Sequence, residues 1–225
     1  MDSQTLYTGL LFLHILLFVA WLGGDIGVFI LGQHFRKRDA YPLETRLQFL
    51  KLLVLNDMAP RTAWALMVPV SLSMVAAGGW ALMPGWVVGL SWALGLIWLA
   101  LVWWTWAEGQ GPRARALKQI QFWLTVALCL FYTGLAIAGW LELWAAPFWL
   151  WLKAGLFALI FAAAIMIDVA YKPVGPLLAR LIAEGSSDAT ETPLLKAMNF
   201  TRIWVLGLYA LLLVIGAVGT FKPEL

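Results

Sequence analysis

The chain has 225 residues, of which 63% are hydrophobic and only 12% are charged, and its mean hydropathy is +0.85. A soluble domain is about half apolar and about a quarter charged, so this composition excludes an ordinary water-soluble globular protein. The net charge of +3 gives no support to nucleic-acid binding, because the basic residues follow a membrane-topology pattern. A single cysteine, Cys129, excludes an intramolecular disulfide.

Long apolar stretches predict six transmembrane helices, because one crossing of a bilayer takes roughly 20 apolar residues. In chain order these predicted spans cover about residues 6–31, 59–83, 86–107, 117–140, 147–171 and 200–221. The first span lacks the basic start and the cleavage site of a signal peptide. The expected fold is therefore all-α, a polytopic membrane bundle that forms one domain over residues 1–225.

Lysine and arginine residues concentrate in alternate loops, and this asymmetry predicts the orientation of the chain. We expect the basic loops to lie in the cytoplasm and both termini on the periplasmic or outer side. The protein is thus expected to be a multi-pass component of a bacterial inner membrane. Lys153 and Lys222 fall outside the basic regions, whose members are Arg36, Lys37, Arg38, Arg46, Lys51, Arg61, Arg113, Arg115, Lys118, Lys172, Arg180, Lys196 and Arg202.

Two loop segments carry a local pattern. Leucine and valine recur at helical spacing from Leu43 to Val54, which predicts a short amphipathic helix lying on the inner leaflet. Residues 184–192 are small, polar and acidic, which predicts a flexible loop. Thr192 and Pro193 are expected to cap the helix that follows this loop.

The first span places several unusual residues on one helical face. His14 and Asp25 are eleven residues apart, about three helical turns, and Trp21 falls on the same stripe. Glycines beside this stripe, including Gly24, would let a second helix or a flat ligand approach the backbone closely. Trp21 and Gly24 are therefore predicted to line a cofactor site on this face.

His14 has two interpretations. It forms a hydrogen bond across helices, or it is a neutral imidazole that ligates a metal, most plausibly a haem iron. His34 cannot share that metal, because twenty residues along a straight helix span about 30 Å. Asp25 likewise either pairs with Arg61 or Arg202, or handles protons in catalysis.

Lys153 is predicted to lie about two turns into the fifth span, at a depth similar to that of His14 near the outer leaflet. It either reaches the outer interface or pairs with Glu142. Alternatively, its ammonium group faces an acidic ligand group such as a porphyrin propionate. A positive residue on the outer side opposes the predicted topology, which favours a functional reason for Lys153.

The second span offers a competing metal site. Met67 and Met74 lie seven residues apart on one face, with Met58 and Met83 nearby. Thioether sulfur suits Cu(I), so a copper-handling permease is an alternative function. Methionine is also a common packing residue, and apolar packing is the other interpretation.

Short motifs in this chain resemble the HemJ-type protoporphyrinogen IX oxidases, within a wider group that includes membrane domains of the copper-resistance D type. His14 is followed seven residues later by Trp21 and then by Gly23 and Gly24, as in the first helix of that family. Lys153 follows an aromatic-rich outer loop, as a family lysine does. The likeness covers the first two and the last two spans, and residues 86–140 form an additional hairpin.

The resemblance implies haem b held by His14, with Lys153 essential for oxidation of a porphyrinogen to a porphyrin. It therefore predicts a haem-binding redox protein of the membrane, whose partners are the lipid bilayer and a porphyrin or haem ligand. Besides the copper permease, a non-catalytic membrane subunit is an alternative, with a homo-oligomer or a membrane complex as its assembly.

Overall fold

The computed structural model describes residues 3–109 and 111–224, and every regular element among them is an α-helix. The prediction of an all-α protein is thus confirmed. In chain order, the helices of the described residues are α1 (Ser3–Phe35), α2 (Leu43–Asn56), α3 (Met58–Ala77), α4 (Gly85–Glu108), α5 (Pro112–Trp140), α6 (Phe148–Tyr171), α7 (Val174–Glu184) and α8 (Asp188–Phe221).

Five helical segments of the described chain are long and apolar enough to cross a membrane. In the most apolar window of each segment, only 11 to 33% of the residues are buried within the protein. Apolar side chains that face outward in such numbers fit contact with lipid rather than water. The chain is therefore a multi-pass membrane protein, with segments Gln4–Phe35, Gly85–Glu108, Pro112–Trp140, Phe148–Glu184 and Asp188–Phe221.

Helix α3, where the sequence predicts the second span, is not among these five segments. It has 20 residues and carries Arg61, Pro69 and two serines, which lower its mean hydropathy. It is nevertheless the helix with the longest run of buried side chains, from Met67 to Val70. A sixth crossing at α3 therefore stays a prediction.

The chain divides into two compact units. The first contains α1, α3, α4, helix α2 from Gln48 onward, α5 up to Gln121, and Trp144–Pro147. The second contains Arg36–Leu47, the remainder of α5, and α6, α7 and α8.

In the first unit, α3 packs against both α1 and α4. Small residues on the outer two helices permit these contacts. A Cβ atom on Gly24 of α1 would lie 2.7 Å from Cδ of Pro60, and one on Gly95 of α4 would lie 2.7 Å from Cγ of Pro69. The glycines thus accommodate the proline rings of α3, and close helix packing in membranes commonly depends on such small residues.

In the second unit, α8 packs against α6 and α7, and α5 approaches α6 through small residues. A Cβ atom on Gly155 would lie 3.5 Å from that of Ala136. Tyr132 of α5 stacks near Phe157 and Phe161 of α6, with ring centroids 4.8 and 5.7 Å away. These aromatic residues pack in the interior of the unit with fully buried aliphatic side chains, among them Ile160, Leu194 and Leu212.

The second predicted span ends earlier than the sequence analysis expects. Helix α3 stops at Ala77 rather than continuing to residue 83. Gly79 adopts a φ of +63°, and the Trp80 N–H donates to the Val75 carbonyl oxygen at 3.2 Å. This is a Schellman ending, in which a glycine takes the left-handed conformation that other residues avoid.

The loop predicted over residues 184–192 is confined to residues 185–187, and the cap predicted at Thr192 and Pro193 is wrong. Helix α8 begins at Asp188, and its cap is Ser187, which exchanges hydrogen bonds with Thr190, so Thr192 and Pro193 lie inside the helix. Glu191 is 1% exposed and accepts two hydrogen bonds from Arg46 at 2.6 and 2.8 Å. This buried ion pair orders a segment that its polar composition marked as flexible. The predicted helix from Leu43, by contrast, is confirmed as α2.

Candidate functional site

His14 lies on the face of α1 that packs against α3 in the first unit. Its side chain is partly buried, and its Nδ1 atom lies 3.4 Å from Oγ of Ser71 on α3. A hydroxyl beside one ring nitrogen orients the imidazole, donating to Nδ1 in one tautomer and accepting from it in the other. The predicted interhelical hydrogen bond of His14 therefore exists, and Nε2 is the ring atom through which this histidine could coordinate a metal.

Trp21, two turns along the same face, is 4% exposed. Its ring lies 5.7 Å from that of Trp64 on α3, which in turn lies 4.9 Å from the ring of Trp98 on α4. Three indoles thus cross the first unit from helix to helix. They form an aromatic cluster that begins two turns from His14 along α1.

Gly24 lies where α1 and α3 are closest. The Asn56 side chain donates a hydrogen bond to the Gly24 carbonyl oxygen at 2.7 Å, beside the Pro60 ring. The sequence predicts that a second helix or a flat ligand approaches the backbone at Gly24. In the structure, helix α3 occupies this position. A contribution of Gly24 to cofactor binding stays a prediction.

Asp25 lies among charged and polar groups of the first unit. Its carboxylate has the Trp21 indole as a hydrogen-bond partner and the charges of Asp57 and Arg61 nearby. Arg61 is itself ion-paired with Asp57, four residues earlier. Of the two partners that the sequence predicts for Asp25, Arg61 is the one whose charge acts on it, and the ion pair of Arg61 is with Asp57. Proton handling by Asp25 is untested and stays a prediction.

Lys153 belongs to α6 in the second unit. Its Nζ atom lies 2.6 Å from the position that a Cβ on Gly219 of α8 would occupy, so the glycine makes room for the ammonium group. The charged neighbour that acts on it is Lys222, whose Nζ lies 5.4 Å from the centre of the Trp149 ring. Within the described residues Lys153 forms no salt bridge, so the predicted pairing with Glu142 is not present. Lys153 therefore has a second positive charge near it, that of Lys222.

We expect the variant Lys153→Met to be more stable than the wild type, by about 1–2 kcal/mol in the free energy of unfolding. Methionine keeps the length of the side chain but removes a charge whose place in a membrane helix costs about 2.5–3.5 kcal/mol on insertion scales. Thermal unfolding in detergent measures this difference. Lys196→Met, at an exposed position of α8, is the matched control and should change little. A less stable Lys153→Met protein would show that the lysine supports the fold instead.

Ordinary packing surrounds the second histidine, His34, and the predicted copper ligands, Met67 and Met74. The His34 ring lies 5.4 Å from that of Phe49, and Met67 and Met74 are 5% and 6% exposed. In residues 3–109 and 111–224, no three histidine, cysteine, aspartate or glutamate side chains come together as a metal site. The copper-handling alternative stays a prediction without a further observation in its favour.

Sequence reasoning missed Ser71, which contacts His14, and Trp64, which contacts Trp21. Both lie on α3, and Ser71 is a hydroxyl within a helix of mostly apolar residues. A polar residue at such a position could have been singled out, but its partner depends on how α1 and α3 pack. No family model, curated protein or solved structure matches this chain.

Proposed function

We propose that this chain is a haem b-binding membrane protein in which His14 is the axial ligand of the iron. The observation that carries the proposal is the contact between His14 Nδ1 and Ser71 Oγ at 3.4 Å. A histidine that ligates a metal through one nitrogen usually donates the hydrogen of its other nitrogen to a neighbouring acceptor, which orients the ring. Ser71 supplies that acceptor from the adjacent helix.

The residues around His14 suit a porphyrin. Haem sites combine an imidazole ligand with apolar walls, and the indoles of Trp21, Trp64 and Trp98 provide flat, apolar surfaces in the same unit. When bound, the haem would supply one-electron redox chemistry. The role of Ser71 would be to hold the Nδ1 hydrogen, and that of Trp21 to keep water from the ring face. Oxidation of a porphyrinogen, which the resemblance implies, stays a prediction.

The proposal includes six crossings, with α3 as the second. A helix of 20 residues is about 30 Å long, which matches the hydrocarbon thickness of a bilayer. Crossing at α3 puts the basic segments around Arg36 and Arg113 on the same side, whereas they would otherwise lie on opposite sides. The positive-inside rule favours the first arrangement, with both termini outside, in a bacterial inner membrane.

The spectrum of the purified protein tests the haem proposal. We expect the wild type, purified in detergent, to show a Soret band and a reduced-minus-oxidised difference spectrum. His14→Ala should lose the band, because the iron loses its protein ligand. Ser71→Ala should keep it with roughly tenfold weaker haem binding, since neighbours that orient a ligand typically contribute 10–100-fold to affinity.

His34→Ala is the control, because it removes the other histidine and its ring contact with Phe49 without touching the face of His14. Its spectrum should equal that of the wild type. A colourless wild type, or an unchanged band in His14→Ala, would reject the proposal.

A further inference from the structure

A pocket of about 540 Å³ opens in the second unit where the chain leaves the first span. It is separate from the residues of the haem proposal. The segment after α1 supplies most of its walls, and α8 supplies one apolar side chain. The pocket is lined by Arg36, Lys37, Arg38, Asp39, Ala40 and Leu195.

One of the three basic residues in this pocket is already neutralised. Arg38 Nη1 lies 2.5 Å from an Asp188 carboxylate oxygen, and its Nε lies 3.6 Å from one of Asp39. The Asp39 side chain is 98% exposed, so water solvates its carboxylate. Arg38 thus lies between two carboxylates, and Arg36, Lys37 and Arg38 together with Asp39 and Asp188 keep a net charge of +1.

Arg36 and Lys37 form no salt bridge among the described residues. Arg36 donates a hydrogen bond to the neutral amide oxygen of Asn199, which occupies one of its five donor hydrogens. Burial and the neighbouring charge of Arg202 lower the pKa of Arg36 below its usual value. Arg36 and Arg202 are thus close enough to repel each other, and the exposed Lys37 adds a third positive charge.

The surface beside these cations is apolar. Phe200, Ile203 and Leu206 of α8 are 53%, 65% and 47% exposed, and Arg202 lies within this run. A ligand that carries a phosphate and hydrocarbon chains together would match both parts of the surface. A small inorganic anion would match only the cationic part.

We propose that Arg36, Lys37 and Arg202 bind the phosphate of an anionic lipid head group, with its acyl chains along Phe200, Ile203 and Leu206. Arginine offers several donors to phosphate oxygens in a fixed planar arrangement, and lysine adds a point charge. Basic pockets beside transmembrane helices suit anionic head groups on the side where the positive residues lie. The site goes beyond the proposed haem function, and neither depends on the other.

Native mass spectrometry of the full chain in a non-ionic detergent tests this site, with phosphatidylglycerol and phosphatidylcholine as probes. We expect the wild type to bind phosphatidylglycerol preferentially. Each positive charge near an anionic surface contributes about fivefold, so Lys37→Gln should weaken this binding about fivefold. Arg36→Gln with Lys37→Gln should weaken it about twentyfold or more. Lys37 is exposed, so its replacement does not disturb packing.

Arg113→Gln with Arg115→Gln is the charge-matched control, because both arginines are exposed at the start of α5. This variant should bind phosphatidylglycerol as the wild type does. Equal binding of the two lipids by the wild type, or equal weakening by the control, would overturn the proposal. Inorganic phosphate that competes as well as phosphatidylglycerol would overturn the lipid assignment and leave a site for free phosphate.

Discussion

Arg46→Ala should lower the free energy of unfolding by about 3–5 kcal/mol. Arg46 and Glu191 are each 1% exposed and form a two-point ion pair, with Nη–Oε distances of 2.6 and 2.8 Å. Ser186 donates a third hydrogen bond to the same carboxylate at 2.7 Å. Removal of the guanidinium leaves a buried carboxylate without its counter-charge. This destabilises a protein more than replacing both partners with apolar residues does.

Helical circular dichroism during titration with a denaturing detergent measures the loss. Glu191→Ala should lower the free energy of unfolding by a similar amount, because it leaves the arginine buried without its counter-charge. The double variant Arg46→Met with Glu191→Leu should recover most of the stability, since apolar replacement of both partners is often close to neutral. Arg180→Ala, which breaks an exposed pair with Glu184, should have a far smaller effect. A small loss in both single variants at the buried pair would contradict the structure of this unit.

Gly24→Ala should destabilise the first unit by about 1–3 kcal/mol, the usual cost of overpacking. The added Cβ would lie 2.7 Å from Cδ of Pro60, and a proline ring cannot turn aside because it is bonded to its own backbone. Helices α1 and α3 would have to separate, which would also stretch the bond from Asn56 to the Gly24 carbonyl oxygen.

The neighbouring glycine provides the control for this substitution. A Cβ on Gly23 would meet nothing within 4 Å. Gly23→Ala should therefore gain about 0.5–1 kcal/mol from the better helix propensity of alanine. Thermal unfolding in detergent measures both changes in stability. A loss in Gly24→Ala and a gain in Gly23→Ala could not both come from helix propensity, because the substitution is the same. Equal effects of the two substitutions would contradict the described packing of α1 on α3.

Much of the helical framework follows from local sequence. The apolar stretches predicted α1, α4 and α6 to within a few residues, because span length and hydrophobicity are properties of consecutive residues. The early end of α3 was harder to predict: glycine favours the left-handed ending at Gly79, yet the similar pair Gly23 and Gly24 lies inside α1. The start of α8 depended on a capping box at Ser187 within a segment of polar composition.

The tertiary contacts could not be predicted in the same way. Arg46 and Glu191 are 145 positions apart, and composition marked one as a topology signal and the other as part of a flexible loop. Ser71 became a partner of His14 only through the packing of α1 on α3. The stripe of His14, Trp21 and Asp25 was visible from helical spacing, but the identity of each partner required coordinates.

Rescue of His14→Gly by added imidazole is the most direct test of His14 as an iron ligand. Glycine leaves room for a free imidazole where the side chain stood, beside Ser71. We predict that this variant is purified without a Soret band, and that the band returns when haem and imidazole are supplied together but not with haem alone. An absorption spectrum that needs no imidazole, or a wild type that binds no haem under the same conditions, would contradict the account.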